Sequence, residues 1–338
     1  MLTIAVDAMG GDLGPRVAFR ACKALLKSDP DVEIILPLEE SLHVLARKTL
    51  GRYQTRTRLI PCGEHVRMED SPRKALKERP DSSMSVCLEL HARGEAAGVL
   101  SIGNTGALLM LSRRILGAVC GVDRPALATQ LPTKGQPLLM MDLGANICMS
   151  SDQLLQLAFL AVAWHRAGGV ESPRIGLLNI GTEPGKGTDT IKAAGELFRE
   201  ELGTMYAGYC EGDRLFDGHL NAVICDGYSG NITLKTTEGL IEWLLDMMGS
   251  ELKSSLALRW FIPLWKATMR RIDRQVSPAR HGGAMLLGIA GNVAKTHGKS
   301  DERAFRYALE YMVRQIRTRD YRQLESEFTT MVSDHQDS

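Results

Sequence analysis

The chain has 338 residues, enough to bury a large core in one large α/β unit or in two domains. With 41 Lys and Arg against 40 Asp and Glu, it carries no bulk field of the kind that gathers nucleic acid non-specifically. Its seven cysteines are scattered without a Cys-x-x-Cys pair, which points to free thiols in a reducing cytoplasm and away from a disulfide framework or zinc site. The N-terminus enters an apolar strand over residues 2–6 directly, with no signal-peptide pattern. That strand ends in Asp7, and Gly14-Pro15 leads into a helix through Ala18, Cys22, Leu25 and Leu26. A strand over 32–36, a helix near 42–50, a strand over 58–61 and a helix from Ser83, capped by Asp81 or Ser82, come next. Strand 98–101 with its helix precedes two apolar runs, 126–131 and 137–142, joined by a Pro-Thr-Lys-Gly turn. Helix 152–166, strand 174–179, helix 188–202, strand 221–225 and a helix from Gly230 continue the series. Strands alternating with helices of this length predict βαβ units and a mainly parallel sheet covered on both faces. Ligands of such sheets sit at the carboxyl ends of the strands.

Five of those ends carry Gly with Asp or Asn directly after an apolar strand. They are Asp7-Ala-Met-Gly10-Gly11-Asp12, Ser101-Ile-Gly103-Asn104-Thr105-Gly106, Asp142-Leu-Gly144-Ala-Asn146, Asn179-Ile-Gly181-Thr-Glu183-Pro-Gly-Lys186-Gly187 and Asp226-Gly227-Tyr-Ser-Gly230-Asn231. Glycine admits a ligand to the backbone, and Asn or Asp caps the following helix. The Gly103–Gly106 turn opens a helix, so unpaired N–H groups and the positive end of a helix dipole face outward, as an anion requires. Together the five read as one ligand-binding rim. Lys186, between two glycines, is the cation that could balance charge there. Asp7, Asp12 and Asp142 read as helix caps ahead of Mg²⁺ ligands. No G-x-G-x-x-G followed by a ribose-binding acid and no G-x-x-x-x-G-K-[ST] is present, which disfavours a dinucleotide or nucleoside triphosphate.

Residues 256–272 break the pattern. Leu258, Trp260, Phe261, Leu264 and Trp265 are interleaved with Arg259, Lys266, Arg270 and Arg271, and Pro263 interrupts any long helix. That is the composition of an interfacial membrane anchor, with a dimer or core contact as the alternative. The expected form is a protruding amphipathic helical hairpin over 240–280. Residues 319–338 read as a charged tail, in part disordered.

The same motifs, with Arg124-Pro-Ala-Leu127 and Lys295-x-His297-Gly298, closely resemble the bacterial phosphate acyltransferases of phospholipid synthesis, in order from residue 1 to about residue 317. The resemblance implies a single domain over 1–318, a three-layer αβα sandwich like those of isopropylmalate dehydrogenase and phosphotransacetylase. It also implies a homodimer, no metal and no redox cofactor. The implied reaction is attack of inorganic phosphate on the thioester of an acyl-[acyl-carrier-protein], giving an acyl phosphate. A downstream acylphosphate:glycerol-3-phosphate acyltransferase would consume the product, and the enzyme would be cytoplasmic, attached peripherally to the inner face of the cell membrane. Cys148 departs from the family, which often has Asp at that position, so a role for that carboxylate does not carry over.

Phosphate is already nucleophilic at neutral pH, so the protein must orient it, neutralise part of its charge and hold the developing oxyanion. Lys186, Asn104 and Asn231 are the candidates for that work. Asp7, Gly10, Gly11, Asp12, Ser101, Gly103, Thr105, Gly106, Asp142, Asn146, Asn179, Glu183, Asp226, Gly227 and Gly230 would line the substrate and phosphate site, with Lys295 and His297 in second rank. No cysteine has an evident His partner or glycine elbow, so direct attack is preferred to an acyl-enzyme. The competing readings are a phosphotransacetylase-like enzyme using acyl-CoA, a non-catalytic acyl-carrier or membrane-binding regulator, and a metal- and NAD-dependent β-decarboxylating dehydrogenase.

Overall fold

The computed structural model describes residues 1–254 and 283–337 of the chain. The amino-terminal half alternates as expected: β1 (Leu2–Asp7), α1 (Pro15–Ser28), β2 (Val32–Leu38), α2 (His43–Leu50), β3 (Thr57–Pro61), α3 (Pro72–Glu78), α4 (Ser83–Ala92), β4 (Gly98–Ser101) and α5 (Thr105–Ile115). The second half contains β5 (Ala126–Leu131), β6 (Leu138–Met141), α6 (Ser151–Arg166), β7 (Ile175–Leu178), α7 (Asp189–Leu202), β8 (Tyr206–Cys210), β9 (Ala222–Ile224) and α8 (Gly227–Ser254). After the undescribed segment come β10 (Gly283–Leu287), β11 (Val293–Thr296), α9 (Glu302–Thr318) and α10 (Tyr321–Asp337). Local chemistry sets the helix starts. Ser82, Asn104, Thr188 and Asp301 each accept from a first-turn N–H, and Ser150 and Gln153 form a reciprocal capping box. Each such cap contributes about 1 kcal/mol.

All the strands form one sheet in the order β3-β2-β1-β4-β11-β10-β5-β6-β9-β7-β8. Two buried apolar layers cover it. One joins α1, α6, α7, α9 and α10 to the sheet, and the other joins α3, α4, α5 and α8. The mainly parallel αβα sandwich expected from the alternation is therefore present.

Strand direction corrects one expectation. β10 is antiparallel to both β11 and β5, and β5 is antiparallel to β6. The parallel group β6-β9-β7-β8 therefore runs opposite to β3-β2-β1-β4-β11. The five glycine-rich ends form two rims that face opposite ways, not one. They abut in the middle of the sheet, because Val6, Leu100, Ala294, Met285, Ala128, Met141 and Ile224 share one row of register. Asp7, Ser101 and Lys295 follow that row on one side, and Asp142 and Cys225 follow it on the other.

One further expectation differs. The segment after Arg319 is the helix α10, which lies against α6 and buries Leu324, Phe328 and Val332. Their i, i+4, i+8 spacing makes one apolar stripe, which the charged residues between them conceal in composition. Residues 240–254, the first part of the expected hairpin, are helical and belong to α8. The remainder of the proposed hairpin, with Leu258, Trp260, Phe261, Leu264 and Trp265, lies outside the described residues.

Candidate active site

The first rim is built on a buried carboxylate. Asp7 Oδ1 accepts from Met9 N–H at 3.2 Å and Ser83 Oγ at 2.7 Å, and Oδ2 accepts from Ser101 Oγ at 2.6 Å. Burial pushes the Asp7 pKa upward, and the hydroxyls of Ser101 and Ser83 pull it back. Ser101 Oγ in turn accepts from Gly103 N–H at 3.0 Å, so the strand end and the turn are locked together. Gly10 has φ +86°, and a Cβ there would press on Val66 O and Gly103 Cα. At Gly11 a Cβ would meet the Ile102 side chain. Both glycines thus let the Asp7–Asp12 loop lie directly on the 101–106 turn.

Asn104 shapes this rim with its whole side chain. Its Oδ1 caps α5 by accepting from Ala107 N–H at 3.0 Å, and its Nδ2 donates to Met68 O at 2.7 Å and Asp70 O at 3.0 Å. The loop before α3 is thereby tied over the start of α5, with Pro72 against Gly106. The groups left for an anion are the N–H groups of Thr105 and Gly106, which have no partner within the helix.

Beside this turn stands a cluster of cations. Lys295 pairs with Ser101 across β4 and β11. Its Nζ donates to Thr296 O at 2.9 Å, and no carboxylate pairs with it among the described residues. Burial first, then the nearby Lys235 ammonium, lower its pKa to about 8. His297 is held below its ordinary range by burial and by Lys235, Lys295 and Lys299, against a smaller opposing effect of Asp12. Asp12 is exposed, and its N–H donates to Gly298 O at 2.9 Å, which fastens the first loop to the His297-Gly298 turn.

The second rim has its own buried carboxylate. Asp142 Oδ1 accepts from the N–H groups of Leu127, Gly144 and Ala145, and Oδ2 accepts from Asn146 N–H and Nδ2. Burial raises its pKa, while these five donors favour the charged form. Asn146 Nδ2 also donates to Pro125 O at 2.9 Å, and Asn179 Nδ2 donates to Lys186 O at 3.1 Å. Asp142, Asn146 and Asn179 therefore hold loops in place; against the expectation of a helix cap, Asp142 caps none, since the next helix, α6, is capped by Ser150. Asp226 Oδ1 accepts from Ser229 N–H at 2.7 Å at the start of α8. Gly227 donates to Asn146 O at 2.8 Å, and a Cβ on Gly230 would run into the Asp142 carbonyl oxygen. Lys186 and Glu183 are exposed, both packed on Gly181 in the loop after β7.

One helix joins the rims. Asn231 lies against Gly144 on the second, and Lys235, one turn later in α8, faces Lys295 and His297 on the first. The sequence reading passed over Lys235 and Ser83. Lys235 was findable, because four residues from Asn231 puts it on the same helix face. Ser83 had no signal, since its contact with Asp7 spans 76 positions. The thiols of Cys62, Cys87 and Cys225 are pushed up by burial and neighbouring carboxylates, Cys62 to about 12, so they are poor nucleophiles.

The chain is similar to known proteins over nearly its whole length. A family described as "Fatty acid synthesis protein" matches residues 2–320. The phosphate acyltransferase of Cellvibrio japonicus is 39% identical over 318 residues, covering 94% of this chain and 95% of that protein. The phosphate acyltransferase of Pseudomonas fluorescens is 40% identical over 308 residues, covering 91% and 92%. Among solved structures, a phosphotransacetylase from Streptococcus pyogenes superposes with TM-score 0.62 at 16% identity, covering 94% of each chain. The EutD phosphotransacetylase of Staphylococcus aureus gives 0.60 at 13% identity, again covering 94% of each chain. These structural likenesses concern the fold. The family match and the near full-length relatives go further: the chain belongs to the phosphate acyltransferase family.

Proposed function

We propose that this chain transfers a fatty acyl group from acyl carrier protein to inorganic phosphate, giving an acyl phosphate for phospholipid synthesis. The observation that carries the reading is Lys295, without a carboxylate partner among the described residues, beside Ser101 and facing Lys235. A partly buried ammonium with a second cation beside it, Lys235, which is itself paired with Glu238 at 3.3 Å, favours an anion at Lys295, and the open N–H groups of Thr105 and Gly106 supply further donors. The relatives' names add the acyl transfer and the phosphate.

In this scheme Lys295, Lys235 and the start of α5 orient phosphate and balance part of its charge. A phosphate oxygen attacks the thioester carbonyl, forming the C–O bond, and the C–S bond then breaks to release thiolate. That leaving group is stable near neutrality, so no strong general acid is required. Asn231, exposed at the junction of the rims, is the proposed donor to the oxyanion. Lys186 is the proposed balancing charge from the facing loop. The test incubates the protein with acyl-carrier thioester and labelled phosphate and traps acyl phosphate as the hydroxamate. Label in the product, with acyl-CoA a poorer donor, is the expected result. Exclusive use of acyl-CoA would replace the carrier in this proposal, and no hydroxamate from either donor would end it.

A further inference from the structure

Beyond Lys235, α8 forms one wall of a mostly apolar groove of about 1000 Å³. Thr237, Leu240 and Leu244 line that wall, with Pro132, Phe216 and Tyr311 opposite. The volume is at the upper end for a small-molecule site. The groove adjoins the cation cluster along α8, although Lys235, Lys295 and His297 do not themselves line it. Thr236, the next residue after Lys235, lines it together with Thr129. Lys295 pairs with Ala284, whose neighbour Gly283 accepts from Thr129 Oγ1 at 2.8 Å, so the floor is continuous from Lys295 to Thr129. Leu240 and Leu244 remain 52% and 37% exposed along it, an apolar surface left open beside a polar reacting centre.

We infer that this groove seats the fatty acyl chain of the thioester, with the carbonyl at Lys235 and Lys295 and the methyl end toward Leu244. The inference rests on the proposed function and names the subsite that function needs. An acidic protein helix fits the groove less well, because Lys134 is paired with Asp217 at 3.0 Å and Arg314 stacks on Tyr311 at 5.6 Å. An alkyl chain asks for nothing but apolar wall, and each methylene buried changes binding about fourfold.

The experiment compares hexadecanoyl and hexanoyl thioesters of carrier protein with Leu240→Trp and Leu244→Trp. Both positions face solvent on α8, and the expected variants keep the wild-type thermal midpoint. The expected result is a loss of about tenfold or more in kcat/KM for hexadecanoyl thioester, with the hexanoyl value within about twofold of wild type. Equal losses for the two chain lengths, or none in either variant, overturn the groove while leaving the acyl transfer standing. Wild-type protein that converts neither thioester overturns the proposed function and the groove with it.

Discussion

Lys295 holds its charge at a cost that depends on pH. Its folded pKa of about 8 lies below the ordinary 10.5, through burial and then Lys235. Between these values the folded chain binds fewer protons than the unfolded one, so this residue makes stability rise with pH across that window. Below the window both states are protonated, and the cost of the buried charge is fully present. In the proposed scheme a bound phosphate would offset that cost, and its binding would weaken as Lys295 loses its proton. The expected kcat/KM for phosphate falls above about pH 8, and Lys235→Gln moves the break upward by removing the lesser of the two causes that depress Lys295, burial being the larger. A profile that is flat through this range removes Lys295 from the phosphate site. Sequence reading ranked Lys186 above Lys295 because glycines flank it. Burial and a cross-strand neighbour, which spacing does not report, distinguish the two lysines.

At the scale of elements, α8 is the joint of the site. Gly227 and Gly230 let its first turn sit on the Asp142–Asn146 loop, and Asn231 and Lys235 then ride on one helix face. Gly230→Ala forces a backbone shift and is expected to cost about 1–3 kcal/mol as an overpacked contact. Because both site residues move with the helix, kcat/KM should fall with the urea midpoint. A variant with wild-type midpoint and activity would show that α8 takes its position from elsewhere. The helices of the regular alternation were readable from cap residues and apolar spacing, down to Ser82 and Asn104. The short α3 and the strands β8 and β10 were not. Their short segments carry no distinct period, and tertiary pairing decides their state.

Across the whole molecule, the carboxyl-terminal helix completes a layer. Phe328 is wholly buried in the layer that includes α6, and Arg166–Glu327 at 3.0 Å and His335–Glu201 at 2.7 Å fix the rim of that contact. Phe328→Ala is expected to cost about 3–5 kcal/mol, read from urea unfolding. An unchanged midpoint would mean that α10 docks outside the cooperative unit. The site itself depends on global topology. Local composition determined the α/β class, the strand ends that carry glycine with Asp or Asn, and the Gly103–Gly106 turn that opens α5, because strand period, caps and turn chemistry act within a few residues. The tertiary structure alone decided that these ends form two opposed rims and that Lys235 of α8 bridges from one to the other. Strand direction is set by pairing between segments far apart in the chain, such as Met285 with Ala128, and no local pattern encodes it.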